Sequence, residues 1–349
     1  MKRIILLLPL IFLSVPFASA QFQFQAKDAE QAAIVKDVSG PKLGESKTQI
    51  WRTGVTIDAG SQAESVYIGL PIPMNWPEQK VVGIREVKLD SALTRKINYK
   101  QVDVGAKELI LQIDKLRPGR PFEVIVDVEL LNYELLPPDN PDNYVIPKQV
   151  PREVKQYIEK SPLIESDKKQ FLTLFTDITK DKQTDWEKVE AIYSYVQRSV
   201  NYDDTTKTKL AKGALAVISD PEGQWKGDCK DMSCLFVAIC RAGKVPARLV
   251  RVPEHCYAEF YLEPKDVKKD AQKGAKGPTG FWFPCQVAGS YSFGGIPERQ
   301  PILQKGDSYP DRDPDKPKSA RYIFFKEYCE ASVPLGSAPP KVKFIHELR

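Results

Sequence analysis

Between Thr48 and Tyr133 apolar side chains return at every second position, and beyond a proline cluster that rhythm gives way to a helical one. Val66, Ile68 and Leu70 alternate with Ser65, Tyr67 and Gly69, and Leu109, Leu111 and Ile113 with Ile110 and Gln112. Phe122, Val124, Val126, Val128 and Leu130 alternate with Glu123, Ile125, Asp127 and Glu129. A period of two sends successive side chains to opposite faces of a strand, so each run predicts a strand with one buried face. Pro71, Pro73, Pro77 and Arg117-Pro118-Gly119 break the runs where turns are needed. Short strands at this spacing predict a small antiparallel β-sandwich over residues 46–136.

The cluster Pro137-Pro138-Asp139-Asn140-Pro141 supports neither helix nor ladder and marks a domain boundary. Past it, Val189, Ile192, Tyr193, Val196 and Val200 recur at three and four residues and form one apolar stripe, with Asp185 read as the N-cap. Further helices are expected over Glu153 to Glu159 and Lys168 to Thr179. After Pro246 the period returns to two, through Ala247 to Val252 and Tyr257 to Leu262, with a returning strand from Thr279 to Pro284. Helices followed by an antiparallel sheet predict an α+β domain over residues 145–335, and residues 336–349 read as a C-terminal tail. A chain of 349 residues is long for one hydrophobic core, so two domains fit its length.

The first twenty residues read as a signal peptide. Lys2 and Arg3 precede an apolar run from Ile4 to Phe17, and Ala18-Ser19-Ala20 supplies the small residues of a cleavage site. Residues 21–45 are polar and aperiodic and read as a linker or tail. The expected mature chain is exported to the periplasm or the exterior, and no later run approaches the roughly 20 apolar residues of a membrane helix. The net charge of +5 is spread along the chain and gives no warrant for a nucleic-acid partner. There are two histidines, His255 and His346, and no cysteine spacing typical of zinc. The series Asp307, Asp311, Asp313 and Asp315 lacks the order of a calcium loop, so neither metal nor cofactor is expected.

All six cysteines lie at or beyond position 229, with none in the first 228 residues. Gly227-Asp228 predicts a turn before Cys229, and Met232, Leu235, Phe236, Ile239 and Cys240 then follow at helical spacing. Cys229 thus opens a buried helix, where unpaired N–H groups and the helix dipole favour the reactive thiolate. Cys234 and Cys240 lie deeper in the helix and read as packed core thiols. His255 follows just after Pro253 at the start of a strand. A thiol nucleophile needs a base, and His255 is the histidine available to it within this domain.

Gly227-Asp228-Cys229, the segment Arg241-Ala242-Gly243-Lys244-Val245-Pro246-Ala247-Arg248 and the block opening at His255 resemble the transglutaminase-like superfamily, a papain-like Cys–His fold. That family typically shows Cys at a helix start, Arg-Ala-x-Gly-Ile-Pro-Ala-Arg, His-x-Trp-x-Glu and Gly-Trp-x-Pro-x-Asp. The resemblance runs from about Asp185 to Gly295, and an upstream β-sandwich is common in its exported members. Here Tyr257 replaces the Trp, and Trp282-Phe283-Pro284-Cys285-Gln286 puts Gln286 where the third catalytic residue is normally Asp. A Gln carbonyl can hold His255 in one tautomer but brings no charge to stabilise the imidazolium. The same resemblance, pairing His255 with Gln286 across two strands, puts Cys256 opposite Cys285, either as a cross-strand disulfide or as two packed thiols. Gln224, with Trp225 beside it, has the placement of an upstream oxyanion donor or of a plain polar loop. The Lys-rich connection from Pro264 to Gly280 reads as a solvated hairpin loop or a lid over the cleft.

The resemblance implies an exported enzyme acting on peptide or glutamine carboxamide bonds of a protein or peptide substrate. Cys229 attacks to form a thioester, His255 transfers the proton, and Gln286 orients His255. Protease, deamidase and cross-linking outcomes all stay open. The alternative is an inactive module that keeps the fold as a binding or structural element.

Overall fold

The computed structural model describes residues 40–349 except 90–93, 204, 206–210, 221–222, 266–279 and 313–315. The signal peptide, most of the 21–45 linker and the centre of the Pro264–Gly280 connection lie outside the described residues. In chain order the first unit contains β1 (Lys42–Asp58), β2 (Ala63–Ile72), β3 (Gln79–Leu89), β4 (Thr94–Asp103), β5 (Ala106–Leu116) and β6 (Phe122–Leu136). The second contains β7 (Tyr144–Val145), α1 (Lys169–Thr179), α2 (Asp185–Ser199), β8 (Asn201–Tyr202), α3 (Ala214–Ile218), β9 (Lys226–Gly227) and α4 (Cys229–Ala242). It continues with β10 (Ala247–Val252), β11 (His255–Pro264), β12 (Phe281–Cys285), β13 (Gln304–Lys305), β14 (Tyr309–Pro310) and β15 (Arg321–Tyr322). Two last strands, β16 (Tyr328–Ser332) and β17 (Lys341–Leu348), end the chain.

Two antiparallel four-stranded sheets, β17-β1-β6-β3 and β16-β2-β5-β4, face each other. The alternation seen in sequence is what fills the space between them: Val55, Ile57, Val124, Val126 and Val128 meet Ile68, Leu70, Leu109, Leu111 and Ile113. Each sheet takes one strand from the end of the chain. β17 runs along β1 from Asp58↔Lys341 to Trp51↔Leu348, and β16 pairs with β2. Residues 336–349 are therefore not a free tail, and part of the 21–45 segment enters β1. Both are edge or strand-end sequences rich in charge, which keeps sheet edges from pairing further but dilutes the apolar alternation.

In the second unit α4 is the central element, buried all round from Met232 to Arg241. Helices α1, α2 and α3 pack on it, and so do β10 and β11. The sheet order is β12-β11-β10-β13, with β7 added to β11. A two-residue turn, Pro253-Glu254, joins β10 to β11 and places His255 opposite Val252. Glu254 has φ 55, in the left-handed region that costs a side-chain-bearing residue energy.

Two local readings differ from expectation. The N-cap of α2 is Thr184, whose hydroxyl accepts from the Glu187 N–H while the Glu187 carboxylate accepts from the Thr184 N–H. That reciprocal pair satisfies donors a lone Asp cap leaves open. Asp185 instead accepts from the Ile146 N–H at 2.9 Å, tying the segment after the hinge to α2. The expected helix over 153–159 is a single 3-10 turn, Lys155–Ile158.

The two units share a buried ionic network. Lys305 bonds both Glu78 of the sandwich side and Glu259 of β11, and Arg248 pairs with Glu259 at 2.7 Å. The Arg248 guanidinium also lies 4.0 Å over the Trp282 ring. Burial by itself would raise the Glu259 carboxyl, but the Arg248 and then the Lys305 charges outweigh it and hold the group below its usual range. A second buried ion pair, Arg241 to Asp307 at 2.7 Å, joins α4 to the loop before β14.

Candidate active site

Cys229 is the first residue of α4, and Asp228 caps it. The Asp228 carboxylate accepts from the N–H groups of Lys230 (2.8 Å) and Asp231 (3.2 Å), and Asp231 reaches back to the Asp228 N–H. The cap thus takes the second and third N–H groups of the helix and not that of Cys229. Asp231 is itself buried and also accepts from Lys212 N–H at 2.6 Å and Gly213 N–H at 3.3 Å, fastening the segment before α3 beneath the helix start. Sequence reading saw a turn here and missed the carboxylate pair, although Asp-x-x-Asp before an apolar helix is a capping-box pattern.

The Cys229 thiol is 5 % exposed. Burial pushes its pKa above the ordinary thiol value and the neighbouring Asp228 charge adds to the rise, while the Cys256 N–H and Lys230 pull partway back. This corrects the expectation of a thiolate favoured by position alone. The helix start supplies dipole and N–H groups, but desolvation and a capping carboxylate work against ionisation. The thiol therefore needs a proton acceptor.

His255 opens β11, one residue before the Cys256 N–H that contacts the Cys229 sulfur. Its Nε2 lies 2.8 Å from Gln286 Oε1. Gln286 is 4 % exposed and follows directly on the last residue of β12. Its Nε2 donates to Ser290 Oγ at 2.8 Å and to Glu298 Oε2 at 2.9 Å. The loop after Gln286 passes over the imidazole at Gly289, whose φ of 90 lies in the left-handed region that favours glycine. His255 and Gln286 are thus in contact, and Glu298 joins Gln286 from a polar stretch that carried no pattern.

The cysteine pairing is otherwise. β11 and β12 pair Ala258 with Cys285, two residues from the register that sets Cys256 opposite it. All six cysteines are free thiols, and Cys256 and Cys285 both point into the α4 core. Gln286 reaches His255 because it lies beyond the end of the β12 ladder, so that contact does not fix the strand register. Cys234 and Cys240 are fully buried in the same core.

Gln224 is exposed. The Trp225 ring stands edge-on to Tyr195 at 6.1 Å, and its carbonyl accepts from the Asn201 N–H at 2.8 Å. The parallel β8–β9 pair thereby sets the approach to Cys229. Trp225, Ile218 and the α1 residues Lys169, Gln170, Thr173 and Leu174 line an open cleft of about 550 Å³. Among the described residues no group of three or more His, Cys, Asp or Glu is arranged to hold a metal. No described helix is long and apolar enough to cross a membrane.

Residues 173–285 match the transglutaminase-like superfamily, so this chain carries a transglutaminase-like domain behind an antiparallel sandwich. The fold is similar to that of a candidate cysteine protease from Cytophaga hutchinsonii, at a TM-score of 0.55 and 14 % identity, over 88 % of this chain and 92 % of that one. The periplasmic domain of TgpA from Pseudomonas aeruginosa is matched at a TM-score of 0.31 and 10 % identity, over 72 % of this chain and 94 % of that domain, too distant to carry an argument. An uncharacterized protein of Haemophilus influenzae is 26 % identical over 199 residues, 56 % of this chain. The match spans about half of that relative, 51 % of its length.

Proposed function

We propose that the chain is a cysteine-dependent acyl-transfer enzyme acting on peptide or carboxamide bonds. The observation that carries this reading is the 2.8 Å contact of His255 Nε2 with Gln286 Oε1, on a strand whose next N–H reaches the Cys229 sulfur. Burial pushes the Cys229 thiol up, which supports a general-base route: His255 takes the proton as Cys229 attacks the carbonyl carbon. The amine or ammonia leaves with that proton, and a thioester on Cys229 remains. Water or a second amine then releases the acyl group and restores the thiol. The Cys229 N–H, not taken by the cap, and the Gln224 side chain are the proposed oxyanion donors.

The description of the Cytophaga hutchinsonii neighbour as a candidate cysteine protease supports a peptide or protein as acyl donor. The N-terminal sequence supports an exported, periplasmic or extracellular setting. A second reading, a binding module without turnover, is favoured by the neutral Gln286 in place of an acid.

The test is to incubate the purified mature chain and its Cys229→Ala variant with a casein digest and score new peptide termini, ammonia release and incorporation of a labelled amine. The reading expects one of the three from the wild type and none from the variant, with hydroxylamine releasing the acyl group from the Cys229 thioester as a hydroxamate. Equal product from both proteins removes Cys229 as nucleophile, and silence from both favours the binding module.

A further inference from the structure

Gln286 differs from an acid in two ways: it can turn over, exchanging carbonyl for amino end, and it is uncharged. Its surroundings answer both. The amino end donates to Ser290 Oγ and Glu298 Oε2, at 2.8 and 2.9 Å. A hydroxyl accepts or donates, so Ser290 tolerates either orientation of the amide. An ionised carboxylate only accepts, so Glu298 admits only the amino end. That fixes Gln286 Oε1 toward His255 and obliges His255 Nε2 to carry a hydrogen. Nδ1 is left as the basic nitrogen. The same contact brings a negative charge up behind the neutral amide.

We propose that Glu298 is a positioning residue that restores, through Gln286, the tautomer control and the negative charge an aspartate at position 286 would give. This rests on the reading of Cys229 and His255 as a working pair. Glu298 comes from the segment after β12, which returns beneath Gln286 through the Ile296 bridge to Leu135. Other ionisable groups share the pocket behind His255. Glu78 lines it, but its carboxylate is taken by Lys305, and Tyr133 and Tyr257 bring phenols rather than carboxylates. The thiols of Cys229 in α4 and of Cys256 are both pushed up by burial. Glu298 is therefore the carboxylate coupled to the imidazole by hydrogen bonds, with one amide between them.

At an effective dielectric of about 20, a unit charge roughly 8 Å away moves a titration by about one and a half pH units. The chain has only two histidines, so His255 and His346 give two imidazole signals to follow by proton NMR. The proposal predicts that Glu298→Gln lowers the His255 midpoint by about one and a half units while His346 stays in place as a control for folding. It also predicts that Gln286→Asp in the Glu298→Gln background brings the midpoint back. An unchanged His255 midpoint in Glu298→Gln overturns the proposal, and so does a lowered midpoint that Gln286→Asp does not restore. The failure of the underlying reading looks different: alkylation of wild-type Cys229 then does not depend on His255, whatever Glu298 does to the midpoint. Should Glu298→Gln disturb the fold, seen as movement of His346, Glu298→Asp keeps the charge and must keep the wild-type midpoint.

Discussion

Replacing Lys305 by Met tests whether the buried ionic network holds the two units together. Lys305 is 2 % exposed and sits between Glu78 and Glu259, themselves 7 % and 1 % exposed at their side chains. Met fills nearly the same volume, so packing changes little and the effect reports charge. The substitution leaves two buried carboxylates facing one guanidinium, Arg248. Removing one partner from a buried ionic group typically costs about 3–5 kcal/mol, because the remaining charge stays desolvated and uncompensated. That is a large part of the roughly 5–15 kcal/mol that holds a domain folded. The sign with pH also follows. In the wild type Glu259 is held below its ordinary value, so its contribution is complete above the unfolded-state pKa and is lost as pH falls through the depressed folded value. Without Lys305 one carboxylate protonates more readily, and the penalty shrinks on acidification. Urea unfolding at pH 8 and at pH 5, followed by tryptophan fluorescence, measures both effects. Adding Glu78→Gln should recover part of the loss. A cost under about 1 kcal/mol, or one equal at the two pH values, refutes the assignment of these charges as mutually dependent.

Other expectations follow from single contacts. Asp228→Ala should destabilise the domain by about 1–2 kcal/mol, since two N–H groups lose their acceptor, measured by the urea midpoint; no change would show that the cap is idle. Glu327, beside His346, is held at about 2 because His346 and a backbone N–H outweigh the cost of burial. Glu327→Gln should therefore destabilise near neutrality, and the difference from wild type should fade as pH falls from the unfolded-state value towards about 2. A difference that persists at the acid end would contradict this. Glu254→Gly should stabilise by up to about 1 kcal/mol, because a residue with φ 55 loses its steric cost; a lower thermal midpoint would count against it. Mass spectrometry of the unreduced, denatured chain should find six alkylated cysteines, whereas a Cys256–Cys285 crosslink would overturn the β11–β12 register.

The core strands and helices were legible in the sequence because their periodicity is made by burial itself: Val124, Val126 and Val128 alternate because they line a two-sheet core. Cys229 and His255 stood out through residue type and through the turn and proline that place them at element starts. Elsewhere the signal was weaker for identifiable reasons. β17 is an edge strand whose charges keep its sheet from extending, and those charges made Lys341–Leu348 resemble a tail. The register of β11 and β12 was off by two because a side-chain contact made beyond a strand end does not constrain the ladder. Glu298, Glu78, Lys305 and Asp307 occupy polar stretches without period, and their roles arise only when distant segments meet. Arg241 and Arg248 were visible as motif residues, but the ion pairs they make, to Asp307 and Glu259, were not.

The most direct test of a Cys229–His255 pair is the rate of iodoacetamide labelling at each cysteine, mapped by mass spectrometry between pH 5 and 9, in the wild type and in His255→Ala. The account predicts that Cys229 labels faster than the buried Cys234, Cys240, Cys256 and Cys285, and that His255→Ala slows it at neutral pH by about a hundredfold, the lower end of general-base effects. Equal labelling of Cys229 in the two proteins would contradict the account, for it would leave the thiol without the base on which the proposed chemistry depends.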